Sequence, residues 1–442
     1  MTIEMLLVAM FIFLVIGLLT GHPLAFVLGG VATIAGFLGW GESAYSIFVV
    51  RTYDLMSNYT LVAIPMFVLM ANFLTASKVA DGLFESARYL LGPLKGGLAL
   101  AVIFVSTIFA ATTGIVGASV VTMGMLGLPV LLKHGYQKEL AAGVICAGGT
   151  LGILIPPSIM LVVMGTYAQV SVGKLFLAAI IPGLVLSTAY TIYVLVVCHI
   201  HPEYGPALSA EESAAMPIPD RIKGAMINLV PPLLLILAVL GGIFTGIATP
   251  TEASGVGALM ALILTLFYKQ FSFKMVSAAV IDTAKTTSMV FMIILGANAF
   301  TAIFIGMDGD MLVYNLVTAA GLGKIGALVL MMVIVFVLGM FIDWTGIVML
   351  VFPIFLPIMD VFGYDRLFIA ALTAVILQTC FLTPPFGFAL FYIKGIAPAG
   401  MNLSHIYRGI IPFVVIILIV VVLIAIFPGI MMTLPNSMGA AI

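Results

Sequence analysis

Two stretches of this 442-residue chain combine hydroxyl side chains with paired prolines in apolar surroundings. The first reads Ala111-Thr-Thr-Gly-Ile-Val-Gly-Ala-Ser119 and resumes as Gly148-Gly-Thr-Leu-Gly-Ile-Leu-Ile-Pro-Pro-Ser158. The second reads Phe341-Ile-Asp-Trp-Thr-Gly346 and resumes as Gln378-Thr-Cys-Phe-Leu-Thr-Pro-Pro-Phe-Gly387. A proline has no N–H to donate and clashes with the carbonyl one turn earlier. Pro156-Pro157 should therefore open a helix near Gly152 to Ile155, and Pro384-Pro385 should do the same in the second stretch. Freed carbonyls with nearby Ser and Thr hydroxyls form a neutral, hard-oxygen cage suited to a desolvated Na+ ion. The N-terminal ends of broken helices suit an anionic solute. A packing reading stands beside this one: proline kinks with Gly and Ser at helix contacts.

Few other residues offer chemistry. Asp343 is ionisable in an apolar setting, where such groups default to functional roles, yet Asp is also a favoured helix N-cap. Glu252, in Thr249-Pro-Thr-Glu-Ala253, fits a first-turn carboxylate with Thr249 or Thr251 as cap; proton coupling is the competing role. The five histidines (His22, His134, His199, His201, His405) show no zinc spacing, and no G-x-x-x-x-G-K-[ST] phosphate loop is present. ATP hydrolysis by this chain is thereby excluded. Cys146, Cys198 and Cys380 are unpaired in spacing and read as small core residues. Arg51 and Arg408 lie near segment ends and read as snorkelling cations.

The elements that must position these residues follow from composition. Apolar residues make up 63% of the chain and charged residues 7%, against about 45–50% and about 25% in a soluble domain. The bilayer is the solvent. A span needs roughly 20 apolar residues, which leaves room for about ten to fourteen. Uninterrupted apolar runs such as Phe413 to Phe427 are helical, since barrel strands alternate. The N-terminal stretch has Glu4 and no cation before its apolar run, so it reads as a retained first helix rather than a cleaved leader. A net charge of −1 offers no nucleic-acid surface.

The longest polar stretch, His199 to Lys223, carries Glu203, Glu211, Glu212, Asp220, Arg221 and Lys223 among four prolines. It divides the chain into a first repeat at 1–198, a linker at 199–224 and a second repeat at 225–442. Leu128-Pro129 recurs as Leu356-Pro357, Gly135-Tyr136 as Gly363-Tyr364, and Pro156-Pro157 as Pro384-Pro385, each 228 positions on. Ala71-Asn72 recurs as Ala297-Asn298, and Ile180-Ile181-Pro182 as Ile410-Ile411-Pro412. Repeated halves with interrupted helices in matching places point to a transporter site. The loop Lys133 to Glu139 holds two lysines and a histidine, whereas Asp360 to Arg366 holds one arginine and two aspartates. Cytoplasmic loops carry the Lys and Arg excess, so the halves are expected to be inverted.

The strings GGTLGILIPPSIMLVVMG, ATTGIVGAS, LLKHGY, GIFTGIATPTEAS and LTPPFGFALFYIKGIAP together resemble the large membrane subunit of tripartite ATP-independent periplasmic (TRAP) transporters. They span both halves. The resemblance implies an all-α polytopic fold of the elevator-type ion-transporter superfamily, with two inverted repeats carrying re-entrant hairpins and broken helices. It implies Na+-driven uptake of small organic acids across a bacterial or archaeal cytoplasmic membrane, with no enzymatic step. The implied partners are a small four-helix membrane subunit, supplied as a separate chain, and a periplasmic substrate-binding protein. One implied sodium site uses Gly117 and Ser119 with the carbonyls of Gly152, Ile155 and Pro157. The other uses Thr345, Gly346, Gln378, Thr379 and Leu382. The carboxylate solute would lie between the hairpin tips, near Thr113, Gly117, Ser158, Asp343 and Thr383. Where relatives have serine-rich first hairpins, Val116-Gly-Ala-Ser119 keeps only the Ser119 hydroxyl, which shifts weight to backbone oxygens.

Three other functions compete. A stand-alone carrier of the same architecture would need no binding protein. An intramembrane enzyme would need a nucleophile–base or metal set that Asp343 and Glu252 do not form. A channel would not need two equivalent broken-helix sites.

Overall fold

The computed structural model describes residues 2–209, 211–212 and 217–437. Positions 210 and 213–216 of the linker, and 438–442 of the second repeat, lie outside them. Among the described residues the chain is all helix, without strands. Nine helices among the described residues are long and apolar enough to cross a bilayer, and the pair Lys138–Leu154 and Ile159–Ala168, bent by 45°, is apolar enough to form a broken span or a re-entrant loop. Large apolar side chains such as Ile34, Leu237, Leu259 and Ile419 stand exposed around the outside. A surface this apolar is matched only by lipid. The protein is a multi-pass membrane protein.

Each half runs through the same order of elements. In the first, Lys78 takes a left-handed turn (φ 58) into the short helix Val79–Leu91. A hairpin of Gly97–Thr113 and Val116–Lys133 follows, then the bent pair, then the long helix Val172–Ile200. In the second, Asp308 takes the same turn (φ 60) into Gly309–Ala319. The hairpin Lys324–Gly339 and Trp344–Val361 follows. After it come Arg366–Ile376, a 3-10 turn at Leu377–Phe381, Phe388–Ile396 and the long helix Leu403–Ile426. The polar stretch between the halves begins after Ile200, and the next long helix starts at Ile218.

Lipid tails are as apolar as leucine, so close packing and buried hydrogen bonds must hold such helices together. Gly143 and Gly409 let Lys138–Leu154 cross Leu403–Ile426 backbone to backbone: a Cβ on Gly143 would fall 2.2 Å from the Gly409 carbonyl oxygen. Every residue from Leu140 to Leu154 is buried, which makes this helix the axis of the interior. The repeated asparagines bridge the halves. Asn72 donates to the Thr283 hydroxyl at 2.9 Å, and Asn298 accepts from the Tyr167 hydroxyl at 2.9 Å. The Thr249-x-x-Glu252 pattern forms a complete capping box, with the Thr249 amide donating to Glu252 at 2.8 Å.

Candidate solute and ion site

The first hairpin tip rests on the first double-proline break. Gly114 turns the chain between the arms at φ 61, and a Cβ there would lie 3.2 Å from the Pro157 carbonyl oxygen. Glycine suits both the left-handed backbone and the close approach. Gly149 likewise brings the broken helix within 3.1 Å, measured from its would-be Cβ, of the Val120 backbone. The helix runs to Leu154 and opens at Ile155, at the end of the stretch its sequence indicated, because the Ile155 amide still reaches the Leu151 carbonyl at 2.9 Å. The chain then becomes extended at Ile155, passes through a cis Pro156-Pro157 bond, and restarts with Ser158 as N-cap of Ile159–Ala168. Pro156 has no N–H for the Gly152 carbonyl, so that oxygen loses its helical donor although Gly152 itself is helical. The Ser158 hydroxyl covers the Ile153 carbonyl, and the Leu161 amide turns to Ser158. The Pro157 carbonyl is left without that amide.

The second junction uses other contacts for the same end. The Phe386 amide donates to the Met340 carbonyl at 3.2 Å, tying the break after Pro384-Pro385, also cis, to the second hairpin tip. Diverting that amide leaves the Leu382 carbonyl without its i+4 donor. Gly339 packs so closely that a Cβ would meet Cys380 Sγ at 2.3 Å. The Thr379 carbonyl accepts from the Leu382 and Thr383 amides and from the Thr383 hydroxyl, all at 2.9 Å. Pro156 and Pro157 are buried, whereas Pro384, Pro385 and Phe386 are exposed, so the two breaks differ in access.

The hydroxyls and the amide at these junctions are buried. Thr113 and Ser119 lie 2.9 Å apart, and the hydroxyl not donating within the pair turns back to its own helix carbonyl. Thr379 donates to the Ile376 carbonyl at 2.7 Å. Gln378 is fully buried, and among the described residues neither its amide nitrogen nor its amide oxygen has a hydrogen-bond partner. An amide so placed forfeits its hydration without compensation. Asp343 caps Trp344–Val361, accepting from the Thr345 hydroxyl at 3.0 Å and its amide at 3.4 Å. Gly346 is packed under Leu24 and Ile342.

Both tips, and residues flanking both breaks, line one cavity of about 700 Å³. Its wall includes Gly114 to Gly117, Phe341 to Thr345, Ile153 and Ile159, and Phe381, Phe386 and Phe388, closed by Met289, Val290, Met292 and Ile293 of the helix Phe273–Gly306. Of the residues singled out in the sequence, Gly117, Asp343 and Thr345 line it. Thr113, Ser119, Gly152, Ile155, Pro157, Ser158, Gly346, Gln378, Thr379, Leu382 and Thr383 are buried in the junctions and are not among the lining residues. The aromatic wall, with Trp344 and Tyr392, went unread in the sequence. Two signals were present: one of only two tryptophans follows Asp343, and phenylalanines flank Pro384-Pro385 on both sides.

Comparison with known proteins gives a consistent picture. The family model described as "Tripartite ATP-independent periplasmic transporter, DctM component" matches residues 7–430. The C4-dicarboxylate TRAP transporter large permease protein DctM of Pseudomonas aeruginosa is 31% identical over 392 residues, covering 88% of this chain and 89% of its own length. The isethionate TRAP transporter permease protein DctMQ of Oleidesulfovibrio alaskensis is 30% identical over 94% of this chain and 64% of its own. The crystal structure of the Alcanivorax borkumensis YdaH transporter, described as having an unusual topology, superposes with a TM-score of 0.63 at 14% identity, over 92% of this chain and 97% of that one. That likeness is one of fold.

Proposed function

The chain belongs to the DctM family of TRAP transporter large permeases, and on that footing we propose that it imports small organic carboxylates in symport with Na+. The observation that carries this reading is the convergence of both hairpin tips and both double-proline breaks on one cavity. The solute binds there between Gly117 and Asp343, with Thr113, Ser158 and Thr383 setting the shape of the two junctions. The helix start at Val116 turns its positive end toward it, whereas Asp343 caps the start at Trp344. Na+ is a second cargo, held by neutral oxygens. The Ser119 hydroxyl and the carbonyls of Gly152, Ile155 and Pro157, beside Gly117, supply one site. Thr345, Gly346, Thr379, the Leu382 carbonyl and the partnerless Gln378 amide supply the other. Carbonyls stripped of their helical donors can replace an ion's water shell at membrane depth.

Transport proceeds by an elevator motion, in which the hairpins and broken helices move as a body against the remaining helices. The repeats, 1–198 and 225–442 about the 199–224 linker, are inverted. The chain works in a bacterial or archaeal cytoplasmic membrane with a small membrane subunit and a periplasmic substrate-binding protein, and performs no enzymatic reaction. Membership of the family favours this three-part system over a stand-alone carrier. The test is reconstitution. Uptake should need both partners together with this chain, and omission of the binding protein should abolish it. Equal uptake by this chain alone would overturn the three-part reading.

A further inference from the structure

The cavity's wall speaks to the kind of acid it takes. Resting on the carboxylate-transporter reading, we infer that the cargo is a singly charged carboxylate with a bulky apolar or aromatic body, and not a dicarboxylate. Among the described residues no Lys or Arg lines the cavity. Its titratable groups are Asp343, His22 and Tyr392, and the His22 ring is 2.8 Å from the Thr20 hydroxyl. Facing them are Phe26, Phe341, Trp344, Phe381, Phe386 and Phe388.

A carboxylate leaves water only for a cation or for several N–H donors. Backbone amides at the start of Val116–Lys133 can meet one such group, although the Thr345 amide is already committed to Asp343. A second carboxylate on the same molecule would meet aromatic faces, which repel anions, or the Asp343 carboxylate. Among the described residues no Lys or Arg stands on the wall to pair it. An apolar body, in contrast, exchanges water for ring and alkyl contacts. The cavity, at about 700 Å³, is within the size range that encloses drug-sized ligands, well beyond a four-carbon skeleton. The 31%-identical relative named for C4-dicarboxylates therefore shares the architecture with this chain and differs from it in cargo.

The test uses the full-length chain with its small subunit in lipid nanodiscs, read by ligand-induced thermal stabilisation in Na+ and in K+ buffer. The probes are phenylacetate, 4-methyl-2-oxopentanoate, succinate and choline. In Na+, the first two should protect at about tenfold or more lower concentration than succinate, a gap of about 1.4 kcal/mol. Phe388→Leu should weaken phenylacetate and spare the branched acid, whereas Phe388→Ala should weaken both. Size-exclusion profiles show whether each variant is folded. Equal or better protection by succinate, best protection by choline, no protection by either apolar acid, or unchanged affinities in both folded variants would each overturn the inference. Succinate protecting as well as or better than both apolar acids in Na+, and not in K+, would do so while leaving sodium-coupled carboxylate transport standing. Phenylacetate protecting equally in both buffers would support the cargo class and count against sodium coupling.

Discussion

The Phe386 amide donates to the Met340 carbonyl across 3.2 Å, fastening the break in one helix to the tip of a hairpin. Its counterpart in the first half is the approach of Gly114 to the Pro157 carbonyl. Different atoms make the same junction twice. In each case a proline-interrupted helix loses internal donors and a neighbouring hairpin shields the opening. The released carbonyls thus sit beside a cavity rather than in lipid, the setting in which irregular backbone is tolerated at membrane depth.

Gly114→Ala tests the first junction. The left-handed φ of 61 costs a non-glycine residue roughly 1–2 kcal/mol, and the added Cβ presses on the Pro157 carbonyl. Thermal unfolding in detergent should fall, and uptake with it. Gly255→Ala, a helical position with nothing within 4 Å, should be neutral or up to about 1 kcal/mol stabilising. Equal behaviour of the two variants would contradict the tip contact.

Gln378→Leu separates an ion ligand from a packing residue. Removing a buried amide without partners recovers about 1–3 kcal/mol of desolvation cost, so the sodium-free protein should be as stable as before or more so. Stabilisation by added Na+ should disappear, since a ligand raises stability only through binding the folded state. Ser119→Ala and Thr379→Ala should each weaken Na+ dependence more than they lower expression. Undiminished sodium stabilisation in all three would remove them from the ion sites.

Asp343→Ala should cost about 0.5–2 kcal/mol as a lost N-cap. Asp343→Asn should keep most of that stability, because Asn caps as well as Asp, while relaxing discrimination against dianionic solutes. Unfolding curves and competition by succinate read the two effects apart. A fall in stability as large as that of the Ala variant would show the charge itself to be structural.

Gly409→Ala places a Cβ 2.1 Å from the Glu139 carbonyl oxygen. No side chain can move aside there, so Lys138–Leu154 must shift away from Leu403–Ile426. Loss of the monodisperse peak in size-exclusion chromatography is the expected result. A normal peak and unchanged melting would mean that the two helices are free to separate.

Much of the architecture was legible because the repeat is written in backbone-altering residues. Pro156-Pro157 and Pro384-Pro385 stand 228 positions apart and each interrupts a helix at the matching place in its half. The Thr249–Glu252 box was visible as a local pattern with a local cause. The repeated asparagines were visible as a match, but not as bridges, since Thr283 and Tyr167 lie far off in sequence. The matching left-handed turns at Lys78 and Asp308 carry no glycine to announce them. The aromatic wall was hidden for another reason. In a chain with 30 phenylalanines, one ring facing a cavity and one facing lipid look alike until the helices are placed. The helix opens at Ile155, the C-terminal end of the Gly152 to Ile155 stretch that Pro156-Pro157 marks, because a proline frees a carbonyl four residues before it without ending the helix there.

The most direct measurement of the central claim follows solute and radioactive sodium together in proteoliposomes holding this chain, its small subunit and a loaded binding protein. The two should enter together down an inward Na+ gradient, and Gln378→Leu should diminish both fluxes in parallel. Solute accumulation that is equal in K+ medium, with sodium flux indifferent to solute, would contradict coupling at the two hairpin–break junctions.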